Sequence, residues 1–178
     1  MPLAIERPQR ELVLAGKVAS VSEIRTAILL ESKARLDIAH LKQAGPDHKA
    51  PSVVMKVTSK SAGRLVPENL LQATLKFKLT ATQEDVDKHP VFEITSVYLF
   101  EYELAEGFKP TPEELNAFVS NNGLFNCWPF WRELVQNTAM RMGLPPLTLP
   151  FFRIRSKVGK APVQKSKHKG GESNDRKD

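Results

Sequence analysis

From residue 71 to residue 82 apolar and polar side chains alternate without a break. Leu71, Ala73, Leu75, Phe77, Leu79 and Ala81 stand against Gln72, Thr74, Lys76, Lys78, Thr80 and Thr82. Successive side chains of a strand point to opposite faces, so this pattern predicts an antiparallel strand with one buried and one wet face. Residues 91–104 predict a second strand. Phe92, Ile94, Tyr98, Phe100, Tyr102 and Leu104 share one of its faces; the other carries Glu93, Thr95, Glu101 and Glu103 but also Val91, Val97 and Leu99. Apolar residues on both faces predict a middle that is covered on both sides. Lys76 and Lys78 are placed to pair with Glu101 and Glu103 across the wet face, against the simpler reading of a solvated charged surface.

Two further strands are less marked. Ile24, Thr26, Ile28 and Leu30 alternate with Arg25, Ala27 and Leu29, a strand that the polar residues 31–33 would interrupt. Residues 53–59 predict a short strand between turn regions at 44–51 and 61–67, where Gly and Pro gather. Ahead of them, Leu12, Ala15 and Ala19 have the spacing of a short helix over residues 9–19.

Helical signals dominate the second half. In the Thr-Pro-Glu-Glu run at 111–114, Thr111 suits an N-cap, Pro112 the first helical position, and Glu114 can reach back to the cap amide. This predicts a short helix to about Val119 that buries Leu115, Phe118 and Val119, ended by Asn121, Asn122 and Gly123. A longer helix should start between Gly123 and Pro129 and end at Gly143. Trp131, Val135, Thr138 and Met142 form its stripe, widened by Phe130, Leu134 and Asn137. Pro145, Pro146 and Pro150 then favour an extended path that carries Leu147, Leu149, Phe151 and Phe152. Strands first and helices last predict an α+β fold: a four-stranded antiparallel sheet with a short and a long helix packed on it.

With 178 residues, 41% hydrophobic and 26% charged, the chain fits one ordinary soluble domain. We place that domain at 1–155 and a disordered basic tail at 156–178. The net charge of +6 belongs to the tail: residues 153–178 hold nine basic and three acidic side chains, which leaves the rest neutral. No run of apolar residues is long enough to span a membrane, and Glu6, Arg7, Arg10 and Glu11 break up the N-terminus as a signal core, so a cytoplasmic location is expected. Cys127 is the single cysteine, set among apolar residues, and reads as a buried structural thiol.

Catalytic chemistry finds no support. His40, His48, His89 and His168 share no ligand spacing with Cys127 or with one another, so no metal or cofactor is called for. Glycine-rich phosphate loops, zinc-protease helices and nucleophile elbows are absent. Arg132 and Glu133 are adjacent on a helix and project about 100° apart, which suits surface or interface pairing better than catalysis.

Residues 125–152 hold both tryptophans and six of the thirteen aromatic residues. The run Trp128-Pro129-Phe130-Trp131, then Arg132-Glu133, then Met142-Gly143-Leu144-Pro145 and Leu147-Thr148-Leu149-Pro150, resembles the SecB family of export chaperones, and more closely its divergent SecB-like branch. The resemblance covers roughly residues 12–152, with specific motifs only in 125–152. It implies a bacterial homotetramer, built as a dimer of dimers with the long helices packed between dimers. It also implies ATP-independent holding of unfolded polypeptides in apolar grooves. The family's partners are preproteins and the SecA motor or, in the SecB-like branch, the antitoxin of a toxin–antitoxin pair. On this footing Trp128, Leu144, Leu147, Leu149, Phe151 and Phe152 are the client-binding candidates. Trp131, Leu134, Val135, Thr138 and Met142 are the candidates for the oligomer interface. The basic tail departs from the acidic character typical of the export chaperones.

Two other classes compete with the holdase. A nucleic-acid-binding or regulatory protein could use Lys157, Lys160, Lys165, Lys167 and Lys169 on phosphates, although the tail has no aromatic residues among them for base stacking. An enzyme or small-ligand binder would need converging polar groups, which the sequence does not show.

Overall fold

The computed structural model describes residues 3–39, 53–83 and 90–157. In chain order the elements are β1 (Leu3–Arg7), α1 (Gln9–Ala19), β2 (Ser22–Leu36), β3 (Val53–Val66), β4 (Leu70–Gln83) and β5 (Phe92–Leu104). They continue with α2 (Pro112–Phe118), a π-helical turn (Val119–Gly123), α3 (Leu124–Arg141) and β6 (Phe152–Ser156). Strands β2 to β5 form an antiparallel sheet in the order β2-β5-β4-β3. The fold is the expected α+β arrangement, with one addition: β1 and β6 pair in parallel as a separate two-stranded sheet.

The core lies between the four-stranded sheet and the helices. Every apolar residue of the β4 alternation is buried, as are Phe92, Ile94, Tyr98, Phe100, Tyr102 and Leu104 on the same face of β5. Trp131 is fully buried and stacks on Phe77 at 5.3 Å between ring centroids, while Tyr102 meets Phe118 edge-on at 4.9 Å. Such aromatic pairs contribute about 0.5–1.5 kcal/mol each beyond the area they bury. The outer face of β5 differs from expectation. Val91 is buried, but Val97 and Leu99 are only half-buried, and no described element covers that face.

Both weaker strands are longer than their sequences suggest. β2 continues through residues 31–33 and absorbs the irregularity as bulges between Ile24 and Thr26 and between Leu29 and Glu31. β3 continues through Ser61 to Val66, and the reversal comes at 67–69, where Glu68 and Asn69 take left-handed φ values of 68° and 56°. Gly63 is therefore no turn residue. It sits in mid-strand, where a Cβ would lie 2.6 Å from Val119 Cγ2, so the glycine is what lets the π turn approach the sheet.

The register also corrects the charge pairing. Lys78 lies opposite Thr95, and its ammonium reaches the diagonal Glu93 at 2.6 Å. Glu101 lies opposite Gln72 and accepts from its amide at 2.6 Å, while Gln72 in turn accepts from Arg64.

Thr111 caps α2 as the sequence requires: its hydroxyl accepts from Glu114 N and its own amide donates to the Glu114 carboxylate. Asn121, Asn122 and Gly123 do not end the helical run. They form the π turn that carries it into α3, because Asn121 has buried partners there. Its amide donates to Ala117 O at 2.7 Å and to Glu11 of α1 at 2.8 Å. Lys17–Glu114 and Arg10–Glu113 ion pairs also join α1 to α2.

At the far end, β6 extends to Ser156, one residue past the expected domain boundary, and Lys157 N donates to Arg7 O at 2.8 Å. Lys160, Lys165, Lys167 and Lys169, the four histidines, the 44–51 turn region and the 84–89 connection lie outside the described residues.

Candidate functional site

Helix α3 begins at Leu124 and keeps Pro129 inside it, within the window the sequence set. It stops because Gly143 takes a left-handed φ of 75°: Leu144 N donates back to Ala139 O and Gly143 N to Met140 O, the paired bonds of a glycine-terminated helix. That turn sends residues 144–152 back along the domain in an extended path.

The second half of this loop is fastened down. Leu149 and Phe152 are buried, and Phe152 packs its ring 5.2 Å from that of Trp128. Trp128 Nε1 donates to Pro150 O at 3.0 Å, and Arg132 Nε donates to Leu149 O at 2.8 Å. The Arg132 guanidinium also lies 4.6 Å above the centre of the Phe151 ring, within cation–π range. Arg132 is thus tied to the loop rather than to a surface pair, and Glu133 instead accepts from Asn137 at 3.1 Å.

The first half of the loop is less constrained and walls a groove of ≈ 230 Å³. Leu36 of β2, Met55 of β3, Ala81 of β4, Val91 just ahead of β5 and Phe92 of β5 form its floor, and residues 144–147 form its side. Every lining side chain is apolar. Met55 is 47% exposed, so the groove opens to solvent. Such a surface can desolvate aliphatic or aromatic side chains of a ligand, at about 25 cal/mol per Å² buried, and offers nothing for acid–base or nucleophilic chemistry.

Other recesses offer less. A larger one, ≈ 590 Å³, lies between α1, α2 and residues 61–63 of β3. Its charged groups are already partnered, Arg10 with Glu113 and Glu11 with Arg7 and Asn121. Cys127 is buried, and burial pushes its thiol well above the ordinary range, so it is no nucleophile. Among the described residues no cluster of His, Cys, Asp or Glu is arranged to hold a metal, and no helix is long and apolar enough to cross a membrane.

Of the client-binding candidates, the structure brings Leu144 and Leu147 together in the groove. Phe151 is 68% exposed beside it in sequence. Trp128, Leu149 and Phe152 are buried and act from behind, holding the loop in place. Of the interface candidates, Trp131 and Val135 are wholly inside the chain's own core and have no surface to offer a second copy. Leu134 and Thr138 line a second groove of ≈ 350 Å³ between α3 and β2, with Leu29 and Phe130, and Met142 packs half-buried against the core. The sequence reading missed Leu36, Met55, Val91 and Phe92, whose meeting depends on sheet register. It also missed the loop-holding role of Arg132, for which the spacing of four from Trp128 on one helix face was an available signal.

No family model matches the chain. A 55-residue segment is 48% identical to SecB-like chaperone Rv1957 of Mycobacterium tuberculosis (strain ATCC 25618 / H37Rv), and equally to SecB-like chaperone MT2006 of strain CDC 1551 / Oshkosh. The matched segment spans 30% of this chain and 30% of each relative's length. Among solved structures, the Mycobacterium tuberculosis Rv1957 SecB-like chaperone in complex with a ChAD peptide from Rv1956 HigA1 antitoxin superposes with a TM-score of 0.67. It is 23% identical and covers 80% of this chain and 98% of that one, a likeness of fold. The matched segment and the fold are thus both ones that the chain shares with a SecB-like chaperone.

Proposed function

We propose that the protein is a holdase that binds non-native polypeptide segments without ATP, its contact surface being the groove between the sheet and residues 144–147. The observation that carries this reading is an open groove whose lining is wholly apolar, walled by a loop whose far half is fastened by side-chain hydrogen bonds from α3. Apolar side chains of many sequences can be desolvated there, which suits clients that share exposed hydrophobic residues and no common motif. The solved relative is bound to an antitoxin peptide, which favours an antitoxin segment as the client over a preprotein for SecA. Such a protein works in the bacterial cytoplasm and is no enzyme.

The groove between α3 and β2 supports assembly into a homotetramer. Leu29 and Phe130 are 43% and 45% exposed at its rim, and a second copy would cover them together with Leu134 and Thr138.

The test is aggregation of an unrelated unfolded protein, followed by light scattering with and without ATP. Suppression that is independent of nucleotide is expected. A chain that leaves aggregation unchanged at several-fold excess would sink the reading.

A further inference from the structure

The outer face of the four-stranded sheet, turned away from the helices, carries an ordered pattern of charge. Lys60 lies directly opposite Lys76 in the β3–β4 register. Lys78 lies opposite Thr58, and Lys56 opposite Thr80, so all four ammonium groups rise from the same face. Like charges directly opposed across an antiparallel pair destabilise it. Among the described residues one carboxylate forms an ion pair with the four, Glu93 with Lys78 at 2.6 Å, and Glu31 of β2 lies close enough to feel the charge of Lys76. A shallow recess of ≈ 270 Å³ opens among them, lined by Thr58, Ser59, Lys60, Lys76, Phe77 and Lys78.

Beside the lysines the same face turns apolar. Val97 is opposite Lys76 in register, and Leu99 lies between Thr74 and Ile28. Val97 and Leu99 are half-buried, Ile28 is 42% exposed, and no described element covers them.

We propose that this face docks an acidic segment of a partner polypeptide, its carboxylates seated on Lys56, Lys60, Lys76 and Lys78 and its apolar residues covering Val97, Leu99 and Ile28. Same-face side chains of an extended segment recur about every 7 Å, the spacing of Lys76 and Lys78 along β4. Carboxylates there would relieve the opposition of Lys60 and Lys76. The apolar strip asks for aliphatic side chains in the same segment. A nucleic acid fits less well, because among the described residues the face exposes no aromatic side chain for base stacking, Phe77 being buried beneath the recess. The surface lies across the sheet from the groove, so it works independently of client binding there.

The experiment is fluorescence anisotropy of the full chain with a short labelled peptide rich in Glu, Asp and Val. Binding is expected to weaken at least ~10-fold in the Lys60→Glu/Lys76→Glu double variant and on raising the salt to about 0.5 M, with Lys157→Glu as a neutral control. The Lys60→Gln/Lys76→Gln pair gives the same reading without charge reversal if the first variant fails to fold. Affinity unchanged in a folded variant overturns the proposal, and so does an oligo-dT that binds the same face more tightly than the peptide.

Discussion

Trp128 and Arg132, one turn apart on α3, grip adjacent carbonyls of the proline-rich loop: Trp128 Nε1 holds Pro150 O at 3.0 Å and Arg132 Nε holds Leu149 O at 2.8 Å. A helix face thereby fixes the path of a segment some twenty residues further on. Trp128→Phe keeps an aromatic ring near Phe152 but deletes the donor and leaves a cavity where the larger indole was buried, so it should cost about 1–3 kcal/mol. Arg132→Ala also loses a charged donor and the Phe151 contact, and should cost about 1–2 kcal/mol. Urea unfolding measures both. Hydrogen exchange should quicken along residues 147–152, and unchanged exchange in both variants would mean that the loop is held by packing alone.

Leu147→Asp places a charge in the wholly apolar groove while leaving the buried anchors Leu149 and Phe152 in place. Anti-aggregation activity should fall severalfold with the far-ultraviolet spectrum unchanged. Val13→Asp, at an equally apolar but 53% exposed site on α1, should have no such effect. Equal losses in the two variants would point away from the groove.

Gly63→Ala drives a Cβ to 2.6 Å from Val119 Cγ2, and Val119 is itself buried. A β-branched side chain cannot swing aside, so the substitution should cost about 1–3 kcal/mol. Adding Val119→Ala should recover part of that loss. A double variant less stable than the sum of the two single ones would show that the strain lies elsewhere.

What the chain discloses of itself depends on the range of each interaction. The β4 alternation and the Thr111–Glu114 capping box are read correctly because each is decided by neighbours a few residues apart. The end of α2 is misread because Asn121 looks like a terminator until Glu11, from a distant helix, supplies a buried partner. Residues 61–67 look like a turn because Gly63 is judged without knowledge of Val119. The groove is only half legible: Leu144 and Leu147 stand out in the sequence, whereas Leu36, Met55, Val91 and Phe92 reach them only through strand register. The pairing of β1 with β6 leaves no local trace in either segment.

Glu114 should carry a pH signature. The Thr111 backbone amide and then Lys17 hold its carboxyl below the ordinary value of 4.5. A depressed carboxyl adds stability that is complete above the unfolded-state value and is lost as the pH falls through the lower folded-state value. Glu114→Gln should therefore be less stable than the parent at neutral pH, and the gap should close below about pH 4. A gap that stays constant on acidification would show that the loss comes from geometry and not from charge.

Cys127 offers a reporter of opening. Burial raises its thiol above the ordinary range, so thiolate is scarce near neutral pH. A disulfide-exchanging reagent at pH ~8 should leave the native chain unmodified and label it at the rate of unfolding. Rapid labelling of the native chain would mean that α3 breathes away from the sheet.

The parallel pairing of β1 with β6 sets Leu3 beside Phe152 and Arg7 beside Ser156. A force that draws Leu3 and Ser156 apart therefore acts along both strands in shear, loading their backbone bonds together rather than peeling them in turn. The short sheet is a clasp that shields the loop and α3 from tension applied through the segment beyond Lys157. Pulled at those two points, the domain should give way in one abrupt rupture. A gradual lengthening in a single-molecule trace would show that the clasp carries no load.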